Sequence, residues 1–235
     1  MREAAAVAEG EGLGGVWLYD HLAGSVHRQR RVLECWTILS ALAASVARIT
    51  LGSMVLNVAN RDPGTLAVMA ATLQEVSNGR LLLGLGAGGG ADTPYAAEQW
   101  ALGRSVGSDP VRRAAVEAAV STLRAVWSGA TGGAGGFLRP DPPPPIIIGG
   151  FGPKMARLAG QVADGINLPD GPHLSSLLDQ ARSVAGGRPD FVVTVSTSHD
   201  RGSRARLEGL GVDRAVVFVP PPFPARIRRL AATFR

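Results

Sequence analysis

The residues of this 235-residue chain that could do chemistry fall in three places. The first is Asp20-His21, closing the run GVWLYDH, which reads as a strand from Gly15 to His21. A histidine titrates near neutrality and can exchange a proton, and a neighbouring acid can orient it or a ligand. The plainer alternative is turn chemistry, with Asp20 capping the next turn of the chain. The second and third places are glycine-rich, RLLLGLGAGGG from Arg80 and PIIIGGFGPKM from Pro145. Glycines after a buried strand let backbone N–H groups approach an anion, and a helix that starts there adds about half a positive charge. Gly149, Gly150, Gly152 and Pro153 therefore make a candidate phosphate seat. The plainer alternative is that they only permit a tight turn from strand to helix.

Around the second loop, Ile146 to Ile148 describe a strand buried on both faces, as in a parallel sheet. Pro153 suits a first helical turn, and Met155, Leu158, Ala159 and Val162 repeat at helical spacing until Gly165 stops the helix. Ile166 to Leu168 begin the next strand. Elsewhere the same reasoning predicts a helix over Glu3 to Glu11, a helix over Cys35 to Val46 and a strand over Ile49 to Asn57. A third helix carries Leu66, Met69, Leu73 and Val76 on its buried stripe and stops at Asn78-Gly79. Val111 to Trp127 form an amphipathic helix, followed by a glycine and proline stretch that reads as an insertion loop within one domain. Phe191 to Thr197 form a strand continued by Ser198-His199-Asp200, Arg204 to Leu210 a helix and Ala215 to Val219 a strand. Ile227, Leu230, Ala231 and Phe234 mark a closing helix. About seven strands alternating with helices predict an α/β fold close to an eight-stranded barrel, in a single domain over residues 1–235.

Gly84, Gly86 and Gly89 also satisfy the G-x-G-x-x-G spacing of dinucleotide-binding folds. That reading requires a helix opening on the third glycine and an acid about 20 residues on, after a second strand. Pro94 interrupts the helix and GRSVGSDP offers no such strand.

Composition narrows the class. The formal net charge of +5 comes almost wholly from arginine, Lys154 being the lone lysine, and the arginines are scattered as solvated faces without a nucleic-acid motif. No nucleic-acid partner is expected. No run approaches the ~20 apolar residues of a membrane span, and MREAAAVAEGEG lacks the apolar core of a secretory signal. One cysteine, Cys35, excludes an internal disulfide, so a cytoplasmic location is the default. No His/carboxylate spacing suggests a metal site, and His27, His173 and His199 have no neighbours comparable to those of His21.

GGFGPKMARLAGQVADGINLP resembles the corresponding segment of the luciferase-like superfamily, in particular the branch that uses the deazaflavin coenzyme F420. Gly-x-Gly-Ala-Gly over Gly84 to Gly88 and Asp20-His21 fit the same family. The resemblance implies a TIM (β/α)8 barrel in which Gly149, Gly150, Gly152 and Pro153 hold the cofactor phosphate and Gly86, Ala87 and Gly88 line the cofactor. It implies a non-prolyl cis peptide bulge against the ring near Leu56 and Asn57, and Asp20 and His21 as the catalytic pair, with Asp20 orienting cofactor or His21. The implied reaction is hydride transfer between coenzyme F420 and a small organic substrate. FMN-dependent monooxygenation is the nearest alternative, separated by Gly-Pro-Lys-Met, and a non-catalytic cofactor-binding protein is another. Two departures stand out. The family's first strand precedes the first helix and is missing here, leaving two sheet edges able to pair with another chain, a homodimer among the arrangements they permit. Where the deazaflavin branch often carries Glu, this chain has Gly89.

Overall fold

Ile146 to Gly149 are buried because a sheet runs on either side of them and helices cover it. They form β5 of a computed structural model that describes residues 1–198 and 201–233. The chain order is α1 (Arg2–Gly10), β1 (Gly15–Leu18), α2 (Cys35–Ala43), β2 (Thr50–Ser53), β3 (Leu56–Asn57), α3 (Pro63–Val76) and β4 (Leu81–Gly86). It continues with α4 (Ala96–Ala101), α5 (Asp109–Ser128), β5 (Ile146–Gly149), α6 (Pro153–Val162), β6 (Gly165–Pro169) and α7 (Leu174–Ala185). It ends with β7 (Val192–Thr197), α8 (Arg201–Gly209), β8 (Arg214–Val217) and α9 (Phe223–Thr233). The expected continuation through His199 and Asp200, and Phe234 of the closing helix, lie outside the described residues.

All pairings among the described residues are parallel, in the order β1-β2-β4-β5-β6-β7-β8, with β3 also on β4. Sequential parallel strands joined by outer helices are the barrel architecture, and the carboxyl ends of all strands share one rim. β4 and β5 are buried throughout, whereas no residue of β1 is fully buried and only Val216 of β8 is. β1 and β8 are the two edges, so the barrel is nearly closed, with a seam between them. On the outside α1 packs against α9. The seam is the place of the expected missing strand.

β2 and β3 are one strand interrupted by a bulge. Gly52 pairs with Leu82 and Leu56 with Leu85, so the β2-β3 side holds one residue more than the β4 side. The extra residue lies at Met54-Val55, whose peptide bond is cis. The cis bond thus stands two residues before the expected Leu56–Asn57, because the chain resumes pairing at Leu56. At the break Ser53 Oγ bonds both the N–H and the carbonyl of Gly84, each at 2.9 Å, replacing the lost ladder.

Two helices start at side-chain caps. Glu34 accepts from the N–H groups of Trp36 and Thr37 at the head of α2, and Asp62 accepts from Thr65 at the head of α3. Pro63, Pro110 and Pro153 occupy first turns. The alternate residues Leu81, Leu83 and Leu85 join the core under the helices. Among the described residues no helix is long and apolar enough to cross a membrane.

Candidate active site at the carboxyl rim

Strand β1 ends at Leu18, so Tyr19, Asp20 and His21 belong to the rim rather than to the strand. Asp20 is buried, with its carboxylate wholly occupied by the protein. Arg61 donates to both oxygens at 2.8 Å, Asn60 Nδ2 at 3.0 Å and the Asn57 N–H at 2.9 Å. The expected role of Asp20 is to orient cofactor or His21, and the partners recorded for its carboxylate are Arg61, Asn60 and Asn57. Asp20 ties the end of β1 to the end of β3. Arg61 also pairs with Glu34, whose carboxyl burial alone would push upward. Hydrogen bonds from Thr37, Trp36 and Arg61 outweigh that burial and hold it at about 2. Burial works against the Arg61 charge in the same way, and its bonds to Asp20 and Glu34 reverse the direction.

His21 takes its carboxylate from elsewhere. Its Nδ1 lies 3.1 Å from Glu98 Oε1, and Glu98 Oε2 accepts from the N–H groups of Leu22 at 2.8 Å and Ala23 at 3.2 Å. Glu98 is 4% exposed and sits on α4, a short helix that no periodic pattern in the sequence announces. The neutral tautomer this bond selects carries its proton on Nδ1 and leaves Nε2 with the lone pair. Tyr95 stacks on the His21 ring at 5.0 Å between centroids, and His27, on a 3-10 turn over 24–27, meets it edge-on at 4.3 Å. His27, which has no acidic neighbour in sequence, is therefore part of this cluster. Burial and then the nearby His21 push its pKa down, with Glu98 opposing. Tyr19 stands 5.8 Å from His27 and 6.0 Å from Phe218, which follows β8, so these rings reach across the seam.

The two glycine loops open on the same rim, and the first adjoins this cluster, since a Cβ on Gly89 would stand 2.7 Å from Tyr95 Cβ. They follow β4 and β5, adjacent parallel strands paired through Leu85 and Ile148, so both open at the same end of the barrel. A Cβ on Gly86 would stand 2.4 Å from Val55 Cγ2, and one on Gly149 would stand 2.7 Å from Val55 Cγ1. Those glycines make room for Val55, which the bulge lays as an apolar ledge across both strand ends. Gly150 is required by Met155, whose Cβ would be 2.4 Å from an added one, and its N–H is taken by the Asn167 carbonyl at 3.2 Å. Gly152 differs. A Cβ there meets nothing within 4 Å, and among the described residues the N–H groups of Phe151, Gly152 and Lys154 have no acceptor.

The sequence model of the family described as luciferase-like monooxygenase matches residues 1–220. The chain belongs to that family. A relative named F420-dependent glucose-6-phosphate dehydrogenase, from Microbacterium testaceum (strain StLB037), is 31% identical over 207 residues, covering 80% of this chain and 60% of its own. Two further relatives of that name are covered over 49% and 50% of their length, so the chain spans about half the length of the curated relatives it matches. The fold is that of an F420-dependent secondary alcohol dehydrogenase solved with an F420-acetone adduct, at a TM-score of 0.82 and 17% identity, over 100% of this chain and 94% of the other. The FMN complex of the oxygenating constituent of 3,6-diketocamphane monooxygenase from Pseudomonas putida has a TM-score of 0.67 at 17% identity, covering 88% of this chain and 65% of its own.

In this luciferase-like chain the residues expected to bind cofactor divide. Leu56 is fully buried, directly after the cis bond at Met54-Val55. Asn57 does reach the loop, where a Cβ on Gly88 would stand 2.6 Å from Asn57 Nδ2. Arg112 of α5 donates to the Gly88 carbonyl at 2.6 Å and more weakly to Ala87 at 3.5 Å, pinning the first glycine loop. Gly149 and Gly150 answer to packing, which leaves Gly152, with Pro153 opening α6, as the loop's approachable point.

Proposed function

We propose that this chain is a coenzyme F420-dependent oxidoreductase that exchanges a hydride with a small organic substrate, with His21 moving the accompanying proton. The observation that carries the proposal is the His21–Glu98 pair, held at 3.1 Å on the same rim as the two glycine loops. The names of the relatives, and of the alcohol dehydrogenase that shares the fold, support the choice of cofactor.

The residues present fit the group. The N–H groups of Phe151, Gly152 and Lys154, at the head of α6, would donate to a phosphate, and the space at Gly152 lets it approach. Val55 gives a planar ring an apolar ledge between Gly86 and Gly149. When bound, the deazaflavin supplies a carbon that takes up and returns hydride. The chain's own share is positioning and proton exchange. Glu98 holds the His21 ring by Nδ1, so Nε2 is the atom that accepts a proton from a substrate hydroxyl or returns it to a carbonyl oxygen. Asp20, through Arg61, fixes the backbone that carries His21.

The test is a titration of the purified protein with coenzyme F420 and, separately, FMN, followed by absorbance and fluorescence. Saturable binding of the deazaflavin is expected, weakened in Gly152→Ala and retained in His21→Ala. Retention of FMN with no response to the deazaflavin would replace this reading with a flavin monooxygenase.

A further inference from the structure

On the outer wall of the barrel a groove of about 370 Å³ runs between α5 and α6, lined by Pro110, Arg113 and Glu117 from one helix and Lys154, Arg157 and Gln161 from the other. Cations dominate it. Two other arginines of α5 have carboxylates within the protein, Arg112 at Asp109 and Arg124 at Asp164. Arg113, Lys154 and Arg157 do not. Among the described residues none of the three makes an ion pair or a side-chain hydrogen bond, although Glu117 lines the same groove one turn on from Arg113. Arg113 is also half-buried, so water answers its charge only in part. Like charges gathered in one cleft repel one another and raise its affinity for anions.

The groove begins where the phosphate seat ends. Lys154 takes part in both, with its N–H at the head of α6 beside Gly152 and its side chain in the groove. Lys154 and Arg157 are separated by about 4.5 Å of helix rise, and Arg113 approaches from the neighbouring helix. One phosphate held by the N–H groups at Gly152 leaves these side chains unanswered, whereas a chain of anionic groups continuing from it meets them in turn. Glu117 and Gln161 bring an acid and a neutral amide to the far end, so the cationic stretch is about one helical turn long.

We infer that the groove between α5 and α6 is a second anion site, receiving a short acidic arm that continues from the ligand whose phosphate sits at Gly152. Lys154, Arg113 and Arg157 are its cations, and Glu117 limits the length of arm it takes. This rests on the cofactor reading above for the ligand and adds a site outside the rim. The two guanidinium groups present paired N–H donors that match carboxylate or phosphate oxygens, and the ammonium adds a point charge. Solvent reaches all three, so the attraction weakens as salt rises. The arm is held away from His21, and the site therefore acts on affinity and leaves proton exchange alone.

The test begins with triglutamate on the cofactor-free protein at low ionic strength, followed by isothermal titration calorimetry. Saturable binding is expected, weakened about fivefold to tenfold in the double variant Arg113→Gln, Arg157→Gln and strengthened about twofold in Glu117→Gln. Arg226→Gln with Arg229→Gln removes the same charge from a different groove, beside Phe218, and should change binding by less than about twofold. Coenzyme F420 and a deazaflavin truncated at its phosphate are then titrated by fluorescence. The intact coenzyme should bind about fivefold more tightly, an advantage lost in Arg113→Gln, Arg157→Gln, while the truncated compound binds parent and variant alike. No binding of triglutamate, or an equal loss in both double variants, overturns the proposal, because net charge alone would then account for any attraction. Equal affinity for the intact and truncated compounds also overturns it. Should the protein take neither deazaflavin, the oxidoreductase reading fails by itself, and the triglutamate titration still decides the groove.

Discussion

The two halves of the rim are built on opposite plans. Over β4 and β5 the surface is backbone and small residues, drawn from strands paired side by side, with Val55 laid across them. Around His21 it is side chains, gathered from residues 19–27 and 218 at the seam between β1 and β8 and from residues 95–98 just beyond the first glycine loop. In the proposed function the first half holds the cofactor through backbone and small residues, whereas the second carries His21, the group proposed to exchange the proton. The difference also shows in support. The glycine half is stiffened by a fully buried double strand, and the side-chain half by one ion network under its floor.

Removing that network should separate the halves most sharply. Arg61→Ala leaves the buried Asp20 carboxylate without its cation, a loss of about 3–5 kcal/mol for a buried pair with one partner removed. Chemical denaturation should report that fall. If a stable fold persists, the His21 side should lose order while deazaflavin binding at the glycine half survives. An unchanged midpoint would mean the network is not the support argued here.

Next in size is the His21 partner. Glu98→Gln removes the charge while keeping an acceptor of similar shape, and a lost charge-assisted hydrogen bond is worth about 1.5–3 kcal/mol. Turnover should drop by roughly tenfold to a hundredfold. Cofactor affinity, a property of the other half, should not move.

Gly149→Ala probes the glycine half in return. Its Cβ would stand 2.7 Å from Val55 Cγ1, beside a four-residue strand buried on both faces. Overpacking of that kind costs about 1–3 kcal/mol. Thermal denaturation should register it, and Gly149→Ala with Val55→Ala should recover much of the loss. A single variant as stable as the parent would show that the ledge yields.

A smaller effect is expected from acid. The Glu34 carboxyl is held at about 2, below its ordinary value of 4.5, so its contribution to stability is complete above about 4.5 and disappears as pH falls toward 2. Glu34→Gln should cost about 1 kcal/mol at neutral pH, in the range of a lost helix cap. The variant and parent should converge near pH 2, and a difference that persists there would assign the loss to packing instead.

The contrast also explains what could be read from the chain. Ile146 to Ile148 announce a buried parallel strand, and the two glycine loops announce themselves, because strand burial and turn chemistry are local. Even so, sequence could not tell that Gly149 makes room for Val55, that Gly150 serves Met155, or that only Gly152 stands open, since each depends on a neighbour brought by the fold. Asp20-His21 is visible as a pair, yet adjacency in sequence misassigns the partner. Glu98 comes from a helix too short to show a periodic pattern, and an acid set among alanines in AAEQWA is the one available signal. The bulge is expected two residues late because its place is set by the pairing of Leu56 with Leu85, which no local pattern encodes.

The finest test of the comparison is Gly152→Ala. Its φ of −147° is open to any residue and its Cβ would touch nothing within 4 Å, so the fold gives no reason for glycine there. Stability should therefore stay within about 0.5 kcal/mol of the parent, as for a surface change away from any special feature. If the space belongs to a ligand phosphate, deazaflavin affinity should fall by about fivefold, roughly 1 kcal/mol. Equal cofactor affinity in both proteins would return the whole loop to turn geometry and leave the side-chain half as the sole binding surface of the rim.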